Sequence, residues 1–294
     1  MKLIPKVDYI STLKAKLETM NSPIYLIPVD FSSVSETAMR LGIDLATAND
    51  GSVLMLHFVD KKPAVKEAKD RFITFTENLS PAELELVTTK VLVGNIYDSI
   101  AIASDVVGAN LIVMGTHGAK GLQKLFGSHA LKLVSSTSTP FMITQGSNSG
   151  GPIKNIVMPY YFERESIQIA SFAASIAKQF NATIHLVGSH HNDEWLAIKT
   201  QTNQTVLRKF FAEHGIQCEL QNLQQRKSYQ QELLAYADSV NADLLAVSYH
   251  HSDTFLPTMH SFVQQLLEND KQIPVLTVNT EDLTLTSGYS FIST

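Results

Sequence analysis

The sequence predicts an α/β architecture written twice: two tandem three-layer α/β/α domains, each on a mostly parallel five-stranded sheet. Three observations carry that reading. Short apolar runs alternate with helical stretches from residue 24 to residue 278. The order of elements restarts after the glycine- and serine-rich stretch 145–152. Specific residues also recur: Ala109-Asn110-Leu111-Ile112-Val113-Met114-Gly115-Thr116-His117 pairs with Ala242-Asp243-Leu244-Leu245-Ala246-Val247-Ser248-Tyr249-His250. Ser128 pairs with Ser261 at the same offset of 133, and Pro140 pairs with Pro274. Strand–helix alternation at this rhythm implies parallel sheets with helices on both faces.

The elements follow in order. Tyr9, Ile10, Leu13 and Leu17 recur at helical spacing, and Pro23 ends the pattern, so residues 1–22 read as a helical extension. The first domain, 23–146, places strands at 24–29, 52–59, 84–93, 111–114 and 140–144. Its helices fall at 34–48, about 64–79, 98–107 and 128–136, the first behind the capping chemistry of Asp30-Phe31-Ser32-Ser33. Residues 147–152 form the linker. The second domain, 153–280, repeats the order with strands at 153–159, 183–187, 216–223, 242–248 and 274–278. Helices are expected at 165–180, 194–214, 228–240 and 261–267, and 281–294 is a tail.

Composition excludes several functions. With 294 residues, 44% hydrophobic and 17% charged, both domains can bury real cores. A net charge of −5 argues against a nucleic-acid partner, which needs a basic face. The single cysteine, Cys218, rules out an intrachain disulfide and a four-cysteine zinc site. No apolar run reaches the roughly 18 residues of a membrane span, so no membrane partner is expected. The stretch Met1-Lys2-Leu3-Ile4-Pro5-Lys6-Val7-Asp8 has no apolar signal core. A reducing, cytoplasmic setting is the expectation.

The chemistry concentrates after the fourth strand. Four large apolar residues, 111–114, run into glycines at 115, 118, 121 and 127, and Ser128 opens a helix with Ala130, Leu131 and Val134 at helical spacing. A strand, a glycine-rich loop and a helix N-terminus make an anion cradle, because glycine lets backbone approach and free N–H groups point at the anion. The plainer alternative is a tight crossover loop. The stretch is not a P-loop, since Lys120 is followed by Gly121, and it is not the dinucleotide glycine pattern. Lys120 and Lys124 read as a solvated loop face. No nucleophile–base–acid set stands out, so no catalytic residue is assigned, and the reading leans away from an enzyme. The copy loses the glycines: 115, 118 and 127 become Ser248, His251 and His260. Likewise Pro28-Val29-Asp30 becomes Pro159-Tyr160-Tyr161. The cradle is expected in the first half alone.

These motifs resemble the universal stress protein family, and the whole chain resembles its tandem-domain members. The carrying residues are Pro28-Val29-Asp30-Phe31-Ser32, Leu56-His57-Phe58-Val59-Asp60, Met114-Gly115-Thr116-His117-Gly118 and Gly127-Ser128. The gap 119–126 is eight residues, one short of the pattern in the family's ATP-binding branch. The resemblance implies a flavodoxin-like, adenine-nucleotide-α-hydrolase-like sandwich. It also implies an adenine nucleotide, ATP foremost, with magnesium as an optional companion. It places Pro28, Val29, Asp30 and the backbone near Phe58 around the adenosine. Met114, Gly115, His117 and Gly118 fall around the ribose and first phosphates, and Gly127, Ser128 and the His129 backbone at the outer phosphates. It further implies a homodimer, or an intrachain pseudo-dimer through 140–144 and 274–278, and an unidentified protein partner.

Several residues keep two readings. Asp30 holds a ligand, caps the following helix, or does both. His57, among apolar neighbours, reads as a satisfied core histidine. Ser128 is an N-cap with or without a phosphate. Seven of the ten histidines lie beyond residue 180. His190, His191, His250 and His251 follow strand ends on one sheet edge, which would suit zinc, although solvated loop residues are the favoured reading. The expected function is a nucleotide-responsive stress module. The alternatives are an interaction protein with an occluded pocket and a slow ATPase or nucleotidyl-transfer enzyme.

Overall fold

Five consecutive buried residues, Ile24–Pro28 (β1), open the first sheet. The structure, a computed structural model, describes residues 22–116, 127–146, 151–160, 165–189, 193–224, 228–249 and 257–280, with the side chains of 127–129, 165–168 and 257–261 left out. After β1 come α1 (Ser33–Ala48), β2 (Ser52–Val59), α2 (Ala64–Phe75), α3 (Pro81–Leu86), β3 (Val87–Val93) and α4 (Ile96–Val107). The first half closes with β4 (Leu111–Thr116), α5 (Gly127–Val134) and β5 (Phe141–Gln145). The second half runs β6 (Asn155–Pro159), α6 (Glu165–Phe180), β7 (Thr183–Ser189), α7 (Glu194–Glu213) and β8 (Cys218–Leu223). It ends with α8 (Tyr229–Ser239), β9 (Leu244–Tyr249), α9 (Pro257–Leu267) and β10 (Val275–Asn279). The expected N-terminal helix lies outside the described residues.

The two five-stranded halves join into one ten-stranded sheet of order β3-β2-β1-β4-β5-β10-β9-β6-β7-β8. Within each half every pairing is parallel. Only the seam is antiparallel: Ile143 faces Val275, Met142 faces Leu276 and Phe141 faces Thr277. Met142 and Leu276 are equivalent positions of the repeat, so the pseudo-twofold passes between them. Helices α1, α2, α6 and α7 cover one core, which includes Met39, Phe72, Ile169 and Phe211. Helices α4, α5, α8 and α9 cover the other, which includes Ile100, Leu131, Leu233 and Val263. This is the expected flavodoxin-like three-layer sandwich, with the strand order reversing between β1 and β4.

Several boundaries differ from the sequence expectation, two of them through capping contacts. The third strand begins at Val87, because Pro81–Leu86 is helical. Ser80 and Glu83 form a capping box there. The Glu83 carboxylate accepts from the Ser80 N–H at 2.7 Å, the Ser80 hydroxyl accepts from the Glu83 N–H at 3.3 Å, and Pro81 takes the first helical position. Helix α4 starts two residues early, because the Asn95 side chain accepts from the Tyr97 N–H at 2.7 Å. Helix α9 begins at Pro257, ahead of Ser261, and α2 ends at Phe75, short of residue 79. β4 continues through Gly115 and Thr116, so Gly115 belongs to the strand and does not open the loop.

Candidate functional site

The carboxyl ends of β1, β2 and β4 open into a cleft of about 160 Å³. Its construction starts where β1 stops. The Val29 N–H donates to the Leu56 carbonyl at 2.8 Å, which carries the ladder one residue past the strand. Asp30 follows, exposed, and its carboxylate folds back onto the start of α1. One oxygen accepts from the Ser32 N–H at 2.9 Å, from the Ser35 hydroxyl at 2.5 Å and from the Ser32 hydroxyl. Ser32, and not Asp30, is the N-cap, its hydroxyl accepting from the Ser35 N–H. Asp30 therefore braces the cap, and its charge sits at the positive end of the helix dipole.

Phe31 takes the left-handed backbone region, φ 64°. That conformation costs a phenylalanine about 1–2 kcal/mol. Its ring offsets the cost in an aromatic nest. The His57 ring lies 4.5 Å away, Phe72 and Phe75 meet it edge-on at 5.0 and 5.6 Å, and the Arg71 guanidinium stands 4.2 Å above it. The His57 Nδ1–H donates to the Val29 carbonyl at 2.7 Å. That bond matches the reading of His57 as a satisfied histidine, yet His57 also lines the cleft.

Gly115 supplies the floor. In β4 it pairs with Thr144. A Cβ there would stand 2.5 Å from the Val34 carbonyl carbon, and closer to its oxygen. The first turn of α1 therefore rests on Gly115. The sequence pointed to anion approach, and the structure adds helix-on-strand packing as a reason for glycine at this position.

Pro28, Val29, Asp30, Phe58, Met114 and Gly115 converge on the cleft. Ser35, His57 and Ile96 also line it and were not among the expected ligand contacts. The signal for Ser35 was the Asp30-x-Ser32-x-x-Ser35 spacing. That for Ile96 was the Gly94-Asn95 turn, which returns the chain to the strand ends. His117 and Gly118 lie outside the described residues. Helix α5 begins at Gly127 and includes Ser128 and His129. His190, His191, His250 and His251 also lie outside the described residues. Among the described residues, no group of three or more His, Cys, Asp or Glu side chains could hold a metal.

The equivalent place in the second half is filled. The Tyr160 N–H donates to the Val187 carbonyl at 3.0 Å, as Val29 does to Leu56, so Tyr160 corresponds to Val29 and Gly188 to His57. Tyr160 is 2% exposed. A Cβ on Gly188 would lie 2.5 Å from the Tyr160 ring carbon that bears the hydroxyl. The hydroxyl donates to the Asn222 side-chain oxygen at 3.2 Å. Burial pushes the Tyr160 phenol up to about 12, so it stays neutral and acts as a donor.

The model of the universal stress protein family matches residues 24–145, the stretch that contains this cleft. Residues 24–145 belong to the universal stress protein family. A universal stress protein from Archaeoglobus fulgidus DSM 4304 is similar in structure across both halves. It is 16% identical, covers 89% of this chain and 100% of its own, and gives a TM-score of 0.67. A functionally unknown protein from Pseudomonas aeruginosa PAO1, 15% identical, covers 90% of this chain and 95% of its own at a TM-score of 0.60. At these identities the likeness establishes the shared fold. A search of curated proteins finds no match. Among the described residues, no helix is long and apolar enough to cross a membrane.

Proposed function

We propose that the first half binds an adenine nucleotide, ATP foremost, in the cleft at the ends of β1, β2 and β4. One observation carries the reading: six residues singled out from sequence meet at the carboxyl edge of the sheet, where the strand order reverses. Open parallel sheets bind ligands at that place. In this reading Pro28, Val29, Asp30 and Phe58 surround the adenosine, and Met114 and Gly115, with His117 and Gly118, take the ribose and first phosphates. The amino-terminal turn of α5, with Gly127, Ser128 and His129, receives the outer phosphates and any magnesium they carry. Tyr160 occupies the matching place in the second half, so one half binds and the other supports it.

Binding acts by linkage. A nucleotide that binds one conformation of the first-half site stabilises it, and with it whichever partner-binding state that conformation favours. The domain division at 23–146 and 153–280 belongs to the same proposal. β5 and β10 are already paired within the chain, so a homodimer would need another surface. A second reading, an interaction protein with a narrowed pocket, is favoured by the cleft's volume. About 160 Å³ falls below the roughly 300 Å³ at which small-molecule pockets begin.

Calorimetric titration of the full chain with ATP, ADP and AMP, beside Asp30→Ala and Gly118→Val, separates these readings. Saturable heat that both substitutions weaken supports the nucleotide site. No heat from any nucleotide overturns it in favour of the interaction protein. Steady phosphate release that is lost in Asp30→Ala would instead make the protein a slow ATPase.

A further inference from the structure

The opposite, amino-terminal edge of the sheet carries a second cavity, and the internal repeat shows why it is open. It measures about 310 Å³ and lies between α1, the linker and the starts of β6 and β9. Its walls include Leu41, Met142, Leu244 and Pro274. The repeat maps these onto Phe172, Leu276, Leu111 and Pro140. Those four residues line a matching crevice across the pseudo-twofold that holds only about 20 Å³. One seam is closed and its mirror image is open.

The closing residues can be named. In the closed seam the Gln179 amide reaches from α6 to donate to the Leu45 carbonyl of α1 at 2.8 Å. The Tyr25 ring is buried beside it, its hydroxyl accepting from the Asn49 amide at 2.6 Å. The open seam has Ala48 where the mirror has Gln179, Ile156 where it has Tyr25, and Leu41 where it has Phe172. Of these, Leu41 lines the cavity, and its shorter side chain leaves space that the Phe172 ring takes in the mirror.

The open seam also carries charge that its mirror lacks. Asp243 and Lys154 line it, where the closed seam has Asn110 and Pro23. The Asp243 carboxylate accepts from the Lys154 and Asn155 N–H groups at 2.7 and 2.9 Å. The Asn110 side-chain oxygen does the same work for the Ile24 N–H at 2.8 Å. A neutral amide thus holds the equivalent strand-opening N–H in the mirror, where Pro23 has no second N–H to offer. Half-buried Asp44 adds a second carboxylate, which accepts from the N–H of Gly151 at the cavity wall at 3.3 Å.

We propose that this seam binds a small zwitterion with an apolar side chain, the class of an aliphatic α-amino acid. Asp243 receives the ammonium, Lys154 the carboxylate, and Leu41, Met142 and Leu244 the side chain. Asp243 and Lys154 then each meet an opposite charge, Asp44 stays on the Gly151 N–H, and the apolar walls bury the remainder. The site lies on the other edge of the sheet from the nucleotide cleft and does not depend on it.

The test titrates the full chain with L-leucine, 3-methylbutylamine and 4-methylpentanoate, following binding by calorimetry and ligand-observed NMR. Leucine should bind, with each truncated analogue about tenfold weaker for the lost charged contact. Asp243→Asn should weaken leucine and the amine about tenfold and leave 4-methylpentanoate unchanged. Leu41→Phe, which installs the residue of the closed seam, should abolish binding of all three. Melting curves verify folding, and if Leu41→Phe does not fold, Asp243→Asn decides, since asparagine performs the backbone role at the mirror position. Absence of leucine binding at millimolar concentration, or leucine binding unchanged in Asp243→Asn, overturns the proposal.

Discussion

Gly115→Ala probes the joint on which the proposed site rests. The added methyl would sit 2.5 Å from the Val34 carbonyl carbon, whereas real Cβ contacts stay beyond 3.0 Å. The first turn of α1 and β4 would have to part by about 1 Å to reach ordinary contact. Val34 is backbone in a turn held by Asp30, Ser32 and Ser35, so no side chain can rotate to absorb the shift. Overpacking of this kind costs about 2–3 kcal/mol. For a chain of this size that is a drop of about 3–5 °C in Tm. Gly42→Ala is the internal control. Its methyl would press on the Ile27 side chain, which can adjust, and alanine inside α1 recovers about 1 kcal/mol of helix propensity. Urea titration of the parent and both variants measures the contrast. The reasoning is refuted if Gly115→Ala unfolds at the same urea concentration as the parent, or if Gly42→Ala loses as much as Gly115→Ala.

Other outcomes follow from single contacts. Asp30→Ala removes the acceptor of three hydrogen bonds at the start of α1, and urea unfolding should show a loss of about 1–2 kcal/mol. Gln179→Ala cuts the only described amide bridge from α6 to the Leu45 carbonyl, and the same assay should register about 1 kcal/mol. His185 is buried with Nε2 3.1 Å from the Asn155 oxygen and Nδ1 3.0 Å from the Tyr236 hydroxyl. Burial holds its imidazole below the usual histidine range, with Glu219 opposing. The folded state then binds fewer protons than the unfolded one. Its stabilising contribution is present above about pH 6.5, the unfolded value, and is lost as pH falls through the lower folded value. Tm measured against pH should therefore slope upward below about 6.5, and His185→Gln should flatten that slope.

Much of the fold was legible because its signals are local and repeated. Apolar runs such as 111–114 name buried strands, and the repeat fixes the order of elements twice over. The last three residues of α3, 84–86, read as strand in the sequence, because Leu84 and Leu86 suit either period. The decisive signal, Ser80-Pro81-x-Glu83, is a capping box with proline at the first helical position. The cleft was legible where backbone geometry leaves marks in the chain, as at the Asp30-Phe31-Ser32 turn and Gly115. It was not legible where packing decides. The Gly94-Asn95 turn marks where α4 begins but not that Ile96 reaches the cleft rim, and nothing near Tyr160 says that its ring takes the place of the His57 ring. The open seam could not be read at all, because it depends on residues from both halves meeting across β5 and β10.

The stoichiometry of ATP binding to the full chain tests the central claim most directly. Isothermal titration should find about one nucleotide per chain, with the heat abolished by closing the first-half cleft and unaffected by Tyr160→Phe. Two equivalents per chain, or none, would contradict the division of labour between the open cleft at Asp30 and the filled one at Tyr160.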